Sequence, residues 1–251
     1  MTSAKDEAGG EVGPADGGGG ADCHAEHDRW QWPDGPDIRT INIALQGGGS
    51  HGAFTWGGLD RLLEEKRIAI ASISGTSAGA VNAVVIAEGL HHGGPDEARH
   101  RLEAFWKSIS LGAQNPLQTS MFDILLSNWS LETNPMLAAF EMMSQVVSPY
   151  QFNPLNRNPL KELLEQRVDF SEVQACLFTQ LYISATNGHT GRVRVFTGAE
   201  VTADAVMASA CLPYIFQAVE IDGVPYWDGG YMGNPVLFPF LDGSISQDVL
   251  I

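Results

Sequence analysis

The chain has few cysteines, few basic residues and no long apolar run. Its three cysteines (Cys23, Cys176 and Cys211) are an odd number without a C-x-x-C spacing, which favours a reducing compartment and argues against disulfides or zinc. The sequence contains no run of about 18 apolar residues, so no transmembrane segment is predicted. The polar N-terminus lacks the apolar core of a classical signal peptide. We therefore expect a cytoplasmic protein, with peripheral contact with a membrane as an open alternative.

Basic residues are outnumbered, with 14 Lys and Arg against 30 Asp and Glu and a net charge of −16. Such a charge repels phosphates and argues against a nucleic-acid partner, whereas a lipid surface can still be met through apolar side chains. Residues 1–37 hold nine acidic and two basic residues and are rich in glycine, so we predict a disordered tail there and one domain over residues 38–251. Trp30 and Trp32, near the end of the tail, are expected to dock on that domain.

Apolar segments alternate between strand and helix spacing at the start of the domain. Strands are predicted over residues 41–46 and 68–74, and helices over 52–66 and 78–89, the second apolar on all sides and therefore buried. This β-α-β-α order predicts an α/β fold with a parallel sheet and a site at the carboxyl ends of its strands.

The rest of the chain is less regular. Residues 108–160 are predicted as short helices that cover the core or as a cap bordering an acyl-chain pocket. Further elements are predicted as strands at 177–185 and 192–197, a helix at 203–210 and a hairpin of 216–221 and 224–227 with an Asp-Gly turn. Residues 247–251 have the pattern of a strand that begins, which suggests that the natural chain extends past Ile251.

Two glycine-framed turns follow the first two strands. The second, Gly75–Gly79, is a G-x-S-x-G turn, which exposes the Ser77 oxygen at a strand-to-helix junction. The first, Gly47–Gly52, stacks backbone N–H groups at the start of a helix, where an anion binds well. A nucleophile and an anion site at neighbouring strand ends indicate a hydrolase, although a G-x-S-x-G turn alone is common.

A serine nucleophile needs a base, and the usual histidine is missing. In Ser-His-Asp enzymes with this turn the histidine comes last in the chain, but no histidine follows Asp228. His189 is predicted in a solvated turn, and His91 and His92 are predicted to face water at a helix end. A buried carboxylate in contact with the serine can take the histidine's place, and Asp228 ends a strand before Gly229 and Gly230. By itself, an Asp-Gly-Gly sequence equally fits a plain turn.

The loop Gly47–Gly52 also fits the dinucleotide fingerprint G-x-G-x-x-G. That interpretation requires an acidic residue at the end of the second strand to bind the ribose. The strand instead ends in Ser72, Ile73 and Ser74 and continues into the serine turn. The nucleotide hypothesis is therefore disfavoured.

Four motifs in order resemble the patatin-like phospholipase family, over about residues 41 to 251. They are Gly47–Gly52 (GGGSHG), Gly75–Gly79 (GTSAG), Ala208–Pro213 (ASACLP) and Asp228–Gly230 (DGG). The resemblance implies a three-layer α/β/α fold with a mostly parallel central sheet. It also implies hydrolysis of lipid acyl esters by a Ser77–Asp228 dyad. Because no cluster of His, Cys and carboxylates has the spacing of a metal site, we expect no metal or other cofactor.

The same resemblance assigns the oxyanion hole to the backbone amides of Gly47, Gly48 and Gly49, with Gly52, Gly75, Gly79, Gly229 and Gly230 supporting the motifs. One position departs from the family, because His51 stands where Arg or Lys is usual. This makes any cationic help with a phosphate headgroup dependent on pH and leaves phospholipids and neutral esters both open. A non-catalytic lipid-binding protein is the remaining alternative, and the oligomeric state is not predicted.

Overall fold

The computed structural model describes residues 32, 35–112, 148–176, 178–241, 246 and 248–251. The predicted disordered tail and the predicted cap therefore lie largely outside the described residues. Trp32 is partly buried against the hydrophobic core, as predicted, whereas Trp30 lies outside the described residues.

The domain contains seven strands and six α-helices among these described residues. The strands are β1 (Arg39–Leu45), β2 (Ile68–Gly75), β3 (Gln180–Asn187), β4 (Val193–Phe196), β5 (Val219–Ile221), β6 (Val224–Asp228) and β7 (Val249–Leu250). The helices are α1 (His51–Leu63), α2 (Ala78–Gly112), α3 (Pro149–Phe152), α4 (Pro159–Arg167), α5 (Phe170–Ala175) and α6 (Ala203–Ser209). Short 3-10 turns lie at Gly198–Glu200, Gly229–Tyr231 and Phe238–Phe240.

All seven strands belong to one sheet, connected in the order β5-β6-β3-β2-β1-β7, with β4 also paired to β3. The ladders β1–β2, β1–β7 and β2–β3 are parallel, and those of β3 with β4, β3 with β6 and β5 with β6 are antiparallel. Only β4 and β6 thus run against the common direction. The expected three-layer α/β/α fold with a mostly parallel sheet is confirmed.

The pairing along β3 brings two strand ends together. Ile183 pairs with both Gly75 of β2 and Phe196 of β4, whereas Ala185 pairs with both Asp228 of β6 and Arg194 of β4. A strand has two edges, and β4 occupies one of them throughout this stretch. Strands β2 and β6 therefore share the other edge and meet with their carboxyl ends facing each other, two residues of β3 or about 7 Å apart.

Helix α2 is longer than predicted. Its first part is buried on all sides, as its composition predicts, with Ala80, Val84 and Ile86 inaccessible to solvent. The backbone leaves helical geometry at Gly93 and Gly94, and Pro95 then opens a second helical stretch that continues to Gly112. The first stretch thus ends a few residues beyond the predicted residue 89, and the second stretch, which was not predicted, can begin there because proline is well tolerated in a first helical turn.

Two of these histidines are exposed to solvent and one is buried. His92 and His189 are exposed, as predicted. The prediction for His91 was wrong, because its side chain is 2% exposed and its Nε2 lies 2.9 Å from Glu172 Oε2. The residue that covers it comes from α5, far along the chain, so the local sequence gives no sign of the contact.

The hairpin β5–β6 has the predicted turn. Asp222 and Gly223 both have positive φ, 52° and 75°, as a two-residue turn of the primed type requires. Residues 249–250 form an edge strand parallel to β1, which agrees with the strand pattern of the last residues. No helix in the described part of the chain is long and apolar enough to cross a bilayer.

Candidate active site

Ser77 lies in a tight turn between β2 and α2, with a positive φ of 54°. Strain of this kind is characteristic of functional serines at strand-to-helix turns. The flanking glycines are needed because a Cβ on Gly75 would lie 2.7 Å from the Gly79 oxygen, and one on Gly79 would lie 2.1 Å from the Leu45 oxygen. The two glycines let β1, β2 and α2 meet closely enough to expose the serine.

The Ser77 backbone is held by a second serine. The Ser77 N–H donates to Ser209 Oγ at 2.8 Å, and Ser209 is fully buried at the end of α6. In the sequence, Ser209 is part of the ASACLP motif, and no role is predicted for it. The small residues around Ser209 indicate that it is buried, but they do not show which backbone amide will donate to its hydroxyl.

Asp228 ends β6 and is 6% exposed. The Gly230 N–H donates to its carboxyl group at 2.7 Å, and the Ser77 hydroxyl lies close enough to favour the ionised carboxylate. Burial raises the pKa of Asp228, and these two neighbours oppose the rise. The structure therefore brings Ser77 and Asp228 together, and the carboxyl group has a higher proton affinity than an exposed aspartate.

The contact depends on close packing where β2 and β6 meet against β3. A Cβ on Gly229 would lie 2.1 Å from the Ser184 oxygen, so only glycine allows the chain to pass β3 at this point. The hydroxyls of Thr76 and Ser184 are 2.5 Å apart, and Thr186 Oγ1 donates to the Asp228 carbonyl oxygen at 2.8 Å. These contacts fix both strand ends on β3.

The glycine-rich loop passes beside the nucleophile. A Cβ on Gly47 would lie 2.7 Å from the Ser77 Cβ. Gly48 and Gly49 have positive φ values of 156° and 55°, and their amides have no acceptor among the residues that the structure describes. The Gly47 amide differs from the prediction, since it donates to Asn234 Oδ1 at 2.5 Å and is not available to an oxyanion.

His51 opens α1 and contacts the same loop. Its Nδ1 lies 3.1 Å from the Gly48 carbonyl oxygen, and because a carbonyl oxygen only accepts, the ring must donate through Nδ1–H. Gly52 follows, and a Cβ there would lie 2.7 Å from the Trp106 ring and 2.9 Å from the Ala78 Cβ. Gly52 thus permits close packing of α1 on α2 below the loop.

An apolar groove of about 460 Å³ lies beside the loop, between α1, β1 and β7. Gly47, Gly48 and His51 form its end nearest the candidate site. Apolar side chains line much of the remainder, including Ile43, Leu45, Phe54, Leu59, Leu62 and Leu250.

Comparison with protein families gives a match over most of the chain. The model of the patatin-like phospholipase family matches residues 43–241, a range that contains all four motifs. No curated protein matches the chain.

Solved structures that match this chain include one of VipD and two of ExoU. VipD from Legionella pneumophila is 17% identical with a TM-score of 0.46, covering 86% of this chain and 49% of that chain. The type III effector ExoU is 14% identical with a TM-score of 0.31, covering 69% and 40%. Full-length ExoU with SpcU, from the type III secretion system of Pseudomonas aeruginosa, is 17% identical with a TM-score of 0.30, covering 83% and 41%. This chain therefore spans half or less of the length of these structures.

Proposed function

This chain belongs to the patatin-like phospholipase family, and from that premise we propose that it is a serine-dependent lipid acyl hydrolase. Its substrates are carboxylic esters of lipids. Ser77 is the nucleophile, Asp228 is its general base, and the amides of Gly48 and Gly49 stabilise the oxyanion.

The observation that carries the proposal is the meeting of the β2 and β6 ends on β3, which places the Ser77 hydroxyl near enough to the buried Asp228 carboxyl group to lower its pKa. A serine hydroxyl becomes a competent nucleophile when a base within hydrogen-bond reach takes its proton. A carboxylate serves as that base more effectively when burial raises its pKa toward the working pH. Asp228 meets both conditions without a histidine.

The reaction then proceeds in two acyl transfers. Ser77 Oγ attacks the ester carbonyl carbon while its proton passes to Asp228, and the carbonyl oxygen becomes an oxyanion facing the glycine amides. When the tetrahedral intermediate collapses, the bond to the leaving oxygen breaks and Asp228 returns the proton to it, which releases an alcohol or lysolipid. Water, deprotonated by Asp228, then attacks the acyl-enzyme. The bond from the acyl carbon to Ser77 Oγ breaks, Asp228 returns the proton to that oxygen, and the carboxylic acid leaves.

The neighbouring groove supports a lipid as the acyl donor. Its apolar lining begins at Gly47 and Gly48, so an acyl chain held there has its carbonyl end near the loop. Because His51 stands at the position of the usual Arg or Lys, the loop carries no permanent cation for a phosphate. Neutral lipid esters therefore remain candidate substrates together with phospholipids.

The test compares wild type, Ser77→Ala and Asp228→Asn in p-nitrophenyl ester hydrolysis and fluorophosphonate labelling. We expect Ser77→Ala to abolish both, and Asp228→Asn to lower both by orders of magnitude. Ser108→Ala is a matched control for the serine, because within the described ranges its hydroxyl donates to the Ala104 carbonyl of its own helix. Asp222→Asn is a control for the aspartate, because it lies in the turn of the same hairpin and Asn also accepts positive φ there.

Each alternative predicts a different result. Equal turnover by wild type and Ser77→Ala would end the proposal, and lipid binding unchanged in Ser77→Ala without any hydrolysis would identify a non-catalytic lipid-binding protein. Nicotinamide dinucleotide binding by the wild type would restore the nucleotide hypothesis. Full-rate labelling of Asp228→Asn would exclude Asp228 as the base.

A further inference from the structure

The side-chain amide of Asn234 holds Gly47 through both of its backbone polar groups. The Gly47 N–H donates to Asn234 Oδ1 at 2.5 Å, and Asn234 Nδ2 donates to the Gly47 carbonyl oxygen at 3.4 Å. A carboxamide carries an acceptor and a donor side by side, so one side chain can pair with a residue as a neighbouring strand would. Both peptide units that flank Gly47 are thereby restrained.

This restraint decides where the Gly48 amide points. The Gly47 carbonyl and the Gly48 N–H belong to one planar trans peptide, in which the two groups point in opposite directions. Fixing the carbonyl on Asn234 therefore fixes the N–H of Gly48 on the other side. Glycine alone would not do so, because it rotates freely between conformations, and a rotated peptide would present a carbonyl oxygen instead of an N–H donor.

Asn234 belongs to the same segment as Asp228, and that segment is attached to the strand that carries Ser77. Thr76 Oγ1 donates to the Gly233 carbonyl oxygen at 3.2 Å, and Ser74 Oγ donates to the Val236 carbonyl oxygen at 2.6 Å. These two bonds lie on either side of Asn234 in the chain. The backbone on both sides of Asn234 is therefore hydrogen-bonded to the end of β2, which holds the Asn234 side chain beside Gly47.

We propose that Asn234 is a positioning residue of the oxyanion hole, which aims the Gly48 N–H at the oxyanion and holds the glycine loop in register with Ser77. This inference rests on the proposed function, since it names the group that sets the geometry of that same site. Asn234 touches neither the substrate nor the reacting atoms and acts through Gly47.

The experiment uses Asn234→Ala, which removes both bonds, and Asn234→Asp, which keeps the acceptor but places a carboxylate oxygen against the Gly47 carbonyl. We expect kcat for a p-nitrophenyl ester to fall about 10²-fold in both variants, with little change in KM, because an oxyanion donor is misplaced. The affinity for a trifluoromethyl ketone, which forms a tetrahedral adduct with the serine, should fall by a similar factor. The affinity for a non-hydrolysable ether analogue should stay unchanged.

Asn153→Ala is a matched control, because the Asn153 side chain makes the same pair of bonds with the backbone of Arg157, at 3.0 and 3.1 Å. That loop lies between α3 and α4, so kcat should be unchanged. Wild-type kcat in Asn234→Ala, or equal losses for the ketone and the ether analogue, would overturn the positioning role alone. Absence of Ser77-dependent hydrolysis in the wild type would overturn the proposed function and this inference with it.

Discussion

The Ser77 amide and the Ser209 hydroxyl form a hydrogen bond of 2.8 Å that joins the turn after β2 to the end of α6. Ser209 is fully buried, so no water can replace its oxygen without rearrangement. The bond satisfies an N–H that the strained turn would otherwise leave without an acceptor.

Replacement of Ser209 by alanine should therefore lower stability and activity together. A typical hydrogen bond contributes about 0.5–1.5 kcal/mol, and because this one is partly buried we expect the free energy of unfolding to fall by about that amount in urea titrations. The rate constant kcat should fall as well, because the turn that holds Ser77 loses a restraint. Ser108→Ala, whose hydroxyl is outside the site, should change neither value, and an unchanged Ser209→Ala would show that the bond has no role.

Asp228→Asn should change how stability depends on pH. The pKa of Asp228 is raised in the folded protein, so the folded state binds more protons than the unfolded state between the ordinary carboxyl pKa and the raised one. Stability of the wild type therefore falls as pH rises through this window. Because Asn cannot ionise, the variant should gain stability relative to the wild type from pH 4 upward, as measured by urea titrations at several pH values.

The pH dependence of kcat/KM should report the same ionisation of Asp228. Asp228 accepts a proton only as a carboxylate, so kcat/KM should decrease on acidification at a pH above the range of an ordinary aspartate. A kcat/KM profile whose acidic limb lies in the pKa range of an exposed aspartate would contradict the raised pKa of Asp228. Asp222→Asn should leave both profiles as in the wild type.

Gly79→Ala should prevent close packing of the nucleophile turn. The added Cβ would lie 2.1 Å from the Leu45 carbonyl oxygen, a backbone atom that cannot move aside without shifting β1. We expect a loss of more than about 3 kcal/mol in unfolding free energy, as for severe overpacking, and no measurable hydrolysis.

Gly57→Ala is the control for this substitution. Nothing lies within 4 Å of a Cβ at Gly57, which is in the interior of α1. Alanine there should stabilise the helix by up to about 1 kcal/mol. A wild-type melting temperature for Gly79→Ala would mean that β1 and α2 are farther apart than described.

His51 should be replaceable by asparagine but not by glutamine. The Nδ2 of asparagine occupies nearly the place of the histidine Nδ1, which donates to the Gly48 carbonyl oxygen, whereas the longer glutamine places its amide elsewhere. One neutral hydrogen bond contributes about 0.5–1.5 kcal/mol, so kcat of His51→Gln should fall about 2–10-fold and that of His51→Asn should stay near wild type. Equal effects of both variants would exclude the Nδ1 contact as the important one.

The parts of the site that depend on adjacent residues could be predicted from the sequence. The spacing of Gly75 and Gly79 around Ser77 predicted a strand-to-helix turn, because only glycine allows backbones to approach so closely. The Asp222-Gly223 turn was predictable for a similar reason, since positive φ at two successive positions restricts the residue types. The family resemblance predicted from the four motifs is confirmed by the match over residues 43–241.

Contacts between distant segments could not be derived from patterns. Asp-Gly-Gly fits a plain turn as well as a strand end beside a nucleophile, and only the shared pairing of β2 and β6 on β3 distinguishes the two. Asn234 precedes a proline, which ordinarily indicates a turn, and nothing in that sequence shows that its side chain reaches Gly47. The occupied Gly47 amide and the buried His91 were missed for the same physical reason: the partner is remote in the chain.

The arrangement of β2 and β6 also has a consequence for the order in which the protein matures. During synthesis the N-terminal portion of a chain emerges and can begin to fold first, so Ser77 leaves the ribosome long before Asp228 does. Its carboxylate neighbour arrives only with the late hairpin, after β3 has provided the edge on which both strands rest. If Asp228 is the base that we propose, a nascent chain lacks it until the sheet is nearly complete.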